Sequence, residues 1–394
     1  MRSILANLLP AVTVLLGAWL LGTDSAAFAT SDTDKKWDET LKAGVFALDN
    51  NQYWRAEPLL KEAAVAAGTF GFTDCRLAKS LGQLGRLYTI RGRFKEAEPY
   101  LEEEVQIKRE VLGDENEAVV PAMGELAKFY LNYGTAAKAE PLTEDILSIV
   151  EGKLATAHAP KTDGKLKFKK GQALEGWAGE ATTQMRDPLI EWAITCDALG
   201  NVYRTKEKYE IAARLYKAAL DVKSTVLGKE HLSLANSYDS LGTLCMDRKE
   251  YGEAESYYRD ALNQTERILG SNSVEVWQRL DKLARCLVKA NKPEQAAVLY
   301  QRALTFWRND PSPSGEDARA LFQLGSLYAE QKKYSDAAPI LERALRLAQD
   351  VQGPDAIGIV PYLERYAYTL YYLGRKPETD QLRARAATIS GIVQ

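Results

Sequence analysis

The sequence predicts an all-α protein, a solenoid of antiparallel helix pairs carrying one irregular insertion. Three observations predict it. "LGNVYRTKEKYEIA" (199–212) recurs as "LGTLCMDRKEYGEA" (241–254), 42 residues later, and self-similarity at a fixed period decides architecture before any local reading. Inside each unit, apolar and small residues recur along one stripe of a 3.6-residue helix. Short polar turns such as "TKEK" (205–208) and "IRGR" (90–93) alternate with glycine-bearing loops such as "VLGDEN", "VLGKEH" and "ILGSNS", which is how helix pairs are punctuated.

The first segment, residues 1–29, stands apart. It has one early Arg2, an apolar run from Leu8 to Gly22 and Ala27-Phe28-Ala29 before Thr30. That is the order of a secretory signal, with a mature chain starting near Thr30. An uncleaved N-terminal membrane anchor is the alternative, because the apolar run is nearly membrane-length. The expectation is an exported protein, periplasmic or extracellular.

The array then begins, with repeats 1–3 in residues 30–151. A degenerate first unit ends in Ala56 after Tyr53. Leu84 and Leu126 anchor the next two, 42 residues apart. After an interruption come repeats 4–8 in residues 189–394, anchored at Leu199, Leu241, Leu283, Leu324 and Tyr366, at steps of 42, 42, 41 and 42. Four residues after the anchors stand Tyr88, Tyr130, Tyr203, Cys245, Leu287, Tyr328 and Leu370. Thirteen after stand Ala97, Ala139, Ala212, Ala254, Ala296, Ala337 and Thr379. The second helices add a large residue (Leu101, Tyr216, Tyr258, Tyr300, Leu341) and a further alanine (Ala63, Ala219, Ala261, Ala303, Ala344). Small residues let two helices approach, and large ones fill the groove beside them. Ser273 and Ser314 read as caps for the helices that follow.

The interruption, residues 152–188, is rich in Gly, Pro and Lys and lacks a helical stripe between about Ala155 and Gly171. "KLKFKK" alternates polar and apolar, as a short exposed strand would. The expectation is a solvated loop or a basic arm, with Trp177 and Trp192 packing its return onto the stack.

Composition bounds function. The 394 residues carry a net charge of −3 and a pI near 5.8, which opposes bulk affinity for nucleic acid. Apolar residues at 46% and charged residues at 27% belong to a folded, soluble chain. The cysteines Cys75, Cys196, Cys245 and Cys286 form no C-x-x-C pair. Cys245 stands where other units carry Tyr and reads as a small buried filler; a disulfide to Cys286 is open, although the two point in different directions around their helices. Only His158 and His231 are histidines, and no metal motif, nucleophile elbow or phosphate loop is present. The expectation is no enzyme, no metal and no cofactor. Glu104 sits in an alanine slot, which calls either for local rotation of its helix or for a semi-buried ion pair with a neighbour such as Lys128.

The L-G/A-x-x-Y segments at 199–203, 84–88 and 324–328, the Y/F-x-x-A segments at 209–212, 251–254 and 94–97, and the L-G-x-x-H loop at 227–231 resemble the tetratricopeptide repeat in the 42-residue form of kinesin light chains. The resemblance covers residues 36–390, broken once. Pro293, Lys376 and Thr379 depart from it. It implies a right-handed superhelix whose concave groove is lined by the first helices. It also gives His231 a place in the inter-repeat loop, satisfying helix-end carbonyls or packing.

Carried over by position, the resemblance puts Lys79, Arg86, Lys128, Asn201 and Arg204 in the groove, then Asn236, Asp239, Asp281 and Arg285, then Arg319, Tyr368 and Tyr371. Asp197, Gln278, Phe322 and Ser326 hold equivalent places. Asn and Arg can hold a ligand's backbone or carboxylate, while Tyr362 and Tyr366 read as core. Two functions follow. One is an exported scaffold or adaptor that binds a peptide or protein segment in the groove. The other is an architectural, self-assembling subunit of the cell envelope, docking through a C-terminal repeat whose last helix turns apolar at Ile389, Ile392 and Val393.

Overall fold

The computed structural model describes residues 31–116, 118–158, 188–271, 273–307 and 315–391. Among the described residues the regular elements are helices: α1 Ser31–Asp49, α2 Tyr53–Gly68, α3 Cys75–Ile90, α4 Phe94–Leu112, α5 Val119–Tyr133, α6 Ala136–His158, α7 Pro188–Thr205 and α8 Tyr209–Leu227. They continue as α9 Leu232–Asp247, α10 Tyr251–Leu269, α11 Val274–Lys289, α12 Pro293–Trp307, α13 Gly315–Glu330, α14 Tyr334–Gln352, α15 Val360–Tyr372 and α16 Lys376–Gly391, with a 3₁₀ turn at Ile357–Ile359. Successive helices pair, and the pairs form an all-α solenoid in two compact units: α1–α8, ending at Gly228, and α9–α16, starting from Lys229.

Most pairs close the same way. Ala56, Ala97, Ala139, Ala212, Ala254, Ala296 and Ala337 all have 0% exposure. Across the pair the first helix offers a glycine to the large residue of the second. A Cβ on Gly200 would lie 2.7 Å from the Tyr216 ring, and one on Gly242 would lie 2.8 Å from the Tyr258 ring. The turn inside a pair puts one residue in the left-handed region: Asn51, Gly92, Glu207, Lys249, Asn291, Lys332 and Gly374, at φ between +59° and +77°. Where that residue is not glycine, the shape costs about 1 kcal/mol, which the packing on either side supports. The second helices α4, α8, α10 and α14 stop at Gly113, Gly228, Gly270 and Gly353, also at positive φ.

The insertion interrupts the sequence and not the packing. Helix α6 runs through Gly152 to His158, past the point at which the sequence pattern puts the insertion's start. Helix α7 packs on α5, and α8 on α6. The Thr143 and Tyr203 hydroxyls are 2.8 Å apart in the core, and Arg214 donates to Glu144 at 2.8 Å. Trp192 is buried, as expected. Trp177 and "KLKFKK" lie outside the described residues, as do the N-terminal segment and Ser314. No helix of the described residues is long and apolar enough to cross a membrane.

Several side chains depart from the sequence reading. His231 caps the start of α9, its Nδ1 accepting from Ser233 N at 3.1 Å; it serves a helix amide, not a helix-end carbonyl, because its loop enters a helix there. Ser273 caps α11 as expected, accepting from Val276 N at 3.2 Å. All four cysteines are free, and Cys245 and Cys286 are both buried. Ile389 is 2% exposed and packs into the core of its own unit with Leu363 and Leu370, so it is no apolar end face; Ile392 and Val393 lie outside the described residues.

Polar contacts tie neighbouring pairs together. Arg76 at the start of α3 reaches Asp34 on α1 at 2.8 Å, and the α3 cap Asp74 also at 2.8 Å. Burial acts to raise the Asp74 carboxyl, but hydrogen bonds from the Arg76 side chain and backbone N–H outweigh it and hold it below the usual carboxylate range. Asp74→Ala is therefore expected to cost about 1–2 kcal/mol. A depressed carboxyl contributes stability that is present above its unfolded value and lost as pH falls through the lower native one. The melting-temperature gap between wild type and variant should hold from pH 7 to pH 5 and close below about pH 4. Thermal melts across that range check it.

Candidate functional site

Each first helix keeps exposed side chains on one face, among them Arg86, Asn201, Asn236, Arg285 and Arg319. In the first unit a crevice of about 640 Å³ lies between α3 and α5, floored by α4. Helix α3 contributes Gly82, Gln83, Arg86, Thr89 and Ile90. The floor is Leu101 and Glu104. Helix α5 contributes Glu125, Lys128, Phe129, Asn132 and Tyr133. Of the expected groove residues, Arg86 and Lys128 meet here. Arg86 is exposed and pairs with Asp49 at 2.9 Å, while Lys128 pairs with Glu125 on its own helix.

The crevice lies where one residue departs from the repeat and a glycine makes room for it. Glu104 fills the alanine slot of α4, and Gly82 faces it: a Cβ at 82 would lie 2.3 Å from Glu104 Oε2. The Glu104 carboxylate is nearly buried and accepts from Lys108 Nζ at 2.6 Å. The ion pair is the semi-buried one foreseen, but its partner is Lys108, one helical turn along, and not Lys128. Burial pushes the Glu104 carboxyl up from its ordinary value; Lys108 opposes this and the nearby Glu125 adds to it. An aromatic rim borders the crevice. Phe94 stacks on Tyr133 with ring centroids 4.4 Å apart, and Phe129 lies beside both.

The other expected residues of this unit lie apart from the crevice. Lys79 is half-buried over the Trp37 ring at 6.0 Å, and burial lowers its ammonium. Asn201 is exposed and accepts from the Tyr216 hydroxyl at 2.9 Å. Arg204 is half-buried. Asp197 turns inward to pair with the buried Lys223, and burial raises its carboxyl.

In the second unit the expected aspartates are structural. Arg279, buried on α11, donates to Asn236 Oδ1 at 2.7 Å, and Lys282 donates to Asp239 at 2.8 Å. These contacts bind α9 to α11. Asp281 accepts from the buried Tyr300 hydroxyl at 3.2 Å; burial and the neighbouring Asp281 charge push the phenol far up. Asp239 and Asp281 are each 8% exposed, and both are engaged within the stack. Asn236, Arg285 and Arg319 remain exposed, with Arg319 lying 4.7 Å over the Trp277 ring. Ser326 is buried, and Phe322 packs on Tyr362 at 4.7 Å.

Tyr368 and Tyr371 belong to a larger cluster. Tyr334 stacks on Tyr372 at 4.7 Å and 6°, and Tyr368 and Tyr371 meet Tyr372 edge-on at 4.9 and 5.4 Å. Tyr368, Tyr371 and Tyr372 are 40–52% exposed, whereas Tyr366 is core. Tyr372 and Tyr334 were not among the expected groove residues. Their signal is the repeat register: Tyr334 opens a second helix as Phe94 does, and each stacks on the end of the next first helix.

Among the described residues, one group has metal-ligand proximity: Cys245, Glu250 and Glu253, with donor atoms within 4.8 Å. Glu250 is already paired with Arg248 at 2.8 Å, and Cys245 is buried in the repeat core.

Comparison with known proteins follows the same register. Tetratricopeptide repeat family models match residues 77–117, 192–233, 238–309 and 282–351, together half of the chain. The signal transduction ATPase with a tetratricopeptide repeat sensor from Pyrococcus horikoshii aligns at TM-score 0.50 and 14% identity, over 79% of this chain and 41% of that one. The nearly identical TPR-like kinesin light chain repeats of Podosopora anserina align at TM-score 0.46 and 15% identity, over 51% of this chain and 96% of that one. BtubC (BKLC) from P. vanneervenii aligns at TM-score 0.43 and 18% identity, over 66% and 92%. At these identities the likeness is one of fold. No curated protein matches the chain.

The ion pair on the crevice floor makes a prediction. Lys108→Met leaves the Glu104 carboxylate buried without a partner and is expected to cost about 3 kcal/mol. The double variant Glu104→Ala/Lys108→Met, which restores the repeat's alanine and removes both charges, should recover most of that loss. Urea unfolding of both variants reads the difference.

Proposed function

This chain belongs to the tetratricopeptide repeat proteins, and we propose that it is an exported interaction scaffold that holds an extended peptide or protein segment along its first-helix faces. The observation that supports this most is the crevice between α3 and α5, with Arg86 exposed at its wall and Phe129 and Tyr133 at its rim. Asn236, Arg285, Arg319 and the tyrosine cluster offer an exposed polar and aromatic surface of the same kind on the other unit. Rigid helices present these groups already ordered, so a bound segment and not the scaffold loses most of the conformational entropy. Arg and Tyr suit the role, since each combines a broad face with a hydrogen-bonding end.

Export rests on the n-region, apolar core and Ala27-Phe28-Ala29 of residues 1–29. The assembly alternative has less support, because Ile389 lies in its own unit's core.

Selection of peptides from a random library on the purified chain tests the reading. Arg86→Glu/Lys128→Glu and Arg285→Glu/Arg319→Glu reverse exposed or partly exposed charge and are expected to leave stability within about 1 kcal/mol. At least one should weaken the selected peptides ten-fold or more. Peptides held equally by wild type and both variants would remove the first-helix face as the site. Intact-mass measurement of the protein from the source cell is expected to find a chain beginning at Thr30; a full-length mass would favour the anchor.

A further inference from the structure

We propose that the crevice between α3 and α5 anchors one basic side chain, lysine or arginine, of the segment that the scaffold binds. This rests on the interaction reading above and adds the chemistry that the pocket selects.

The crevice holds acceptors that lack donors. The Glu104 carboxylate accepts one hydrogen bond, from Lys108 to Oε1, although a carboxylate offers about four acceptor sites. The carboxylate packs into the space that a side chain at Gly82 would take, 2.3 Å and 2.6 Å separating Oε2 and Oε1 from where a Cβ would stand, and both residues line the crevice. Gln83 Oε1, from the adjoining wall, is buried without a hydrogen-bond partner. Two under-used acceptors in one cavity call for a donor, since buried polar groups are hydrogen-bonded in stable structures. The positive groups nearby are already engaged: Lys108 with Glu104, Lys128 with Glu125, and Arg86 with Asp49.

The walls decide which donor. Beside Glu104 the lining offers apolar Leu101, Ile90, Phe129 and Tyr133 together with polar Thr89 and Asn132. A crevice that sets apolar surface beside free acceptors matches a side chain with an apolar stem and a cationic tip, which is the build of lysine and arginine. Aromatic faces at the rim add favourable contact for such a group. An acidic side chain would meet Glu104, while the lining cations Arg86 and Lys128 are already held by Asp49 and Glu125, and a purely apolar one would leave both acceptors unfilled. The volume of about 640 Å³ accommodates one long side chain with space for water.

The test uses phage-displayed random dodecapeptides selected on the purified chain, followed by synthetic copies of the binders. One lysine or arginine position should recur. Its replacement by norleucine should weaken binding to wild type ten-fold or more, and weaken binding to Glu104→Gln less than two-fold. Gly82→Ala, which pushes a methyl group into the carboxylate's place, gives a second route to the same loss should Glu104→Gln fail to fold; thermal melts report which variants are intact. Binders without a shared basic position, or a norleucine penalty of equal size in wild type and the folded variants, would overturn the anchor while leaving the scaffold standing. A library that yields no peptide sensitive to any first-helix variant would overturn both.

Discussion

The two helices of each pair come so close that one position of the second helix has room only for alanine or threonine. Everything else in the chain is arranged around that approach. The alanines thirteen residues after the anchors have no exposed surface, and the glycines of α7 and α9 sit under the rings of Tyr216 and Tyr258. A pair closed in this way still cannot cover its own apolar stripe, so the next pair must. The left-handed turn residues follow from the same demand. Glu207, Lys249 and Lys332 accept a costly backbone shape because the helices on either side have only one way to meet.

Charge does two different jobs on this scaffold. One set joins neighbouring pairs, as Arg76 does with Asp34, Arg279 with Asn236 and Lys282 with Asp239. These groups recur about one repeat apart in sequence and are consumed by the architecture. The other set, including Arg285, remains exposed, and Arg86 and Arg319 do both, exposed and in contact with Asp49 of α1 and the Trp277 ring of α11. The first set holds the stack together, and the second presents charge at the surface.

The crevice in the first unit shows how a repeat array acquires a distinct site without leaving its fold. A carboxylate replaces a methyl group at Glu104, and Gly82 makes room for it. Each would be costly alone. A side chain at 82 would collide with the carboxylate, and a bare glycine opposite alanine would leave a void. Together they make a polar floor within an otherwise regular stack.

The 42-residue period, the paired alanines and the turn glycines determined the fold by themselves, because a helix pair has few ways to bury a stripe that recurs at that spacing. The cap Ser273, the buried Cys245 and the exposure of Arg86 and Arg285 were legible for the same reason: repeat register settles which face a residue takes. Register could not say what each side chain touches. Asp239 and Asp281 hold groove positions yet are spent on Lys282 and Tyr300. Glu104 chose Lys108 over Lys128, His231 turned to an amide, and Ile389 turned inward. Only the tertiary structure decided these, since a hydrogen-bond partner depends on a few ångströms between neighbouring helices, and a periodic pattern carries no information on that scale.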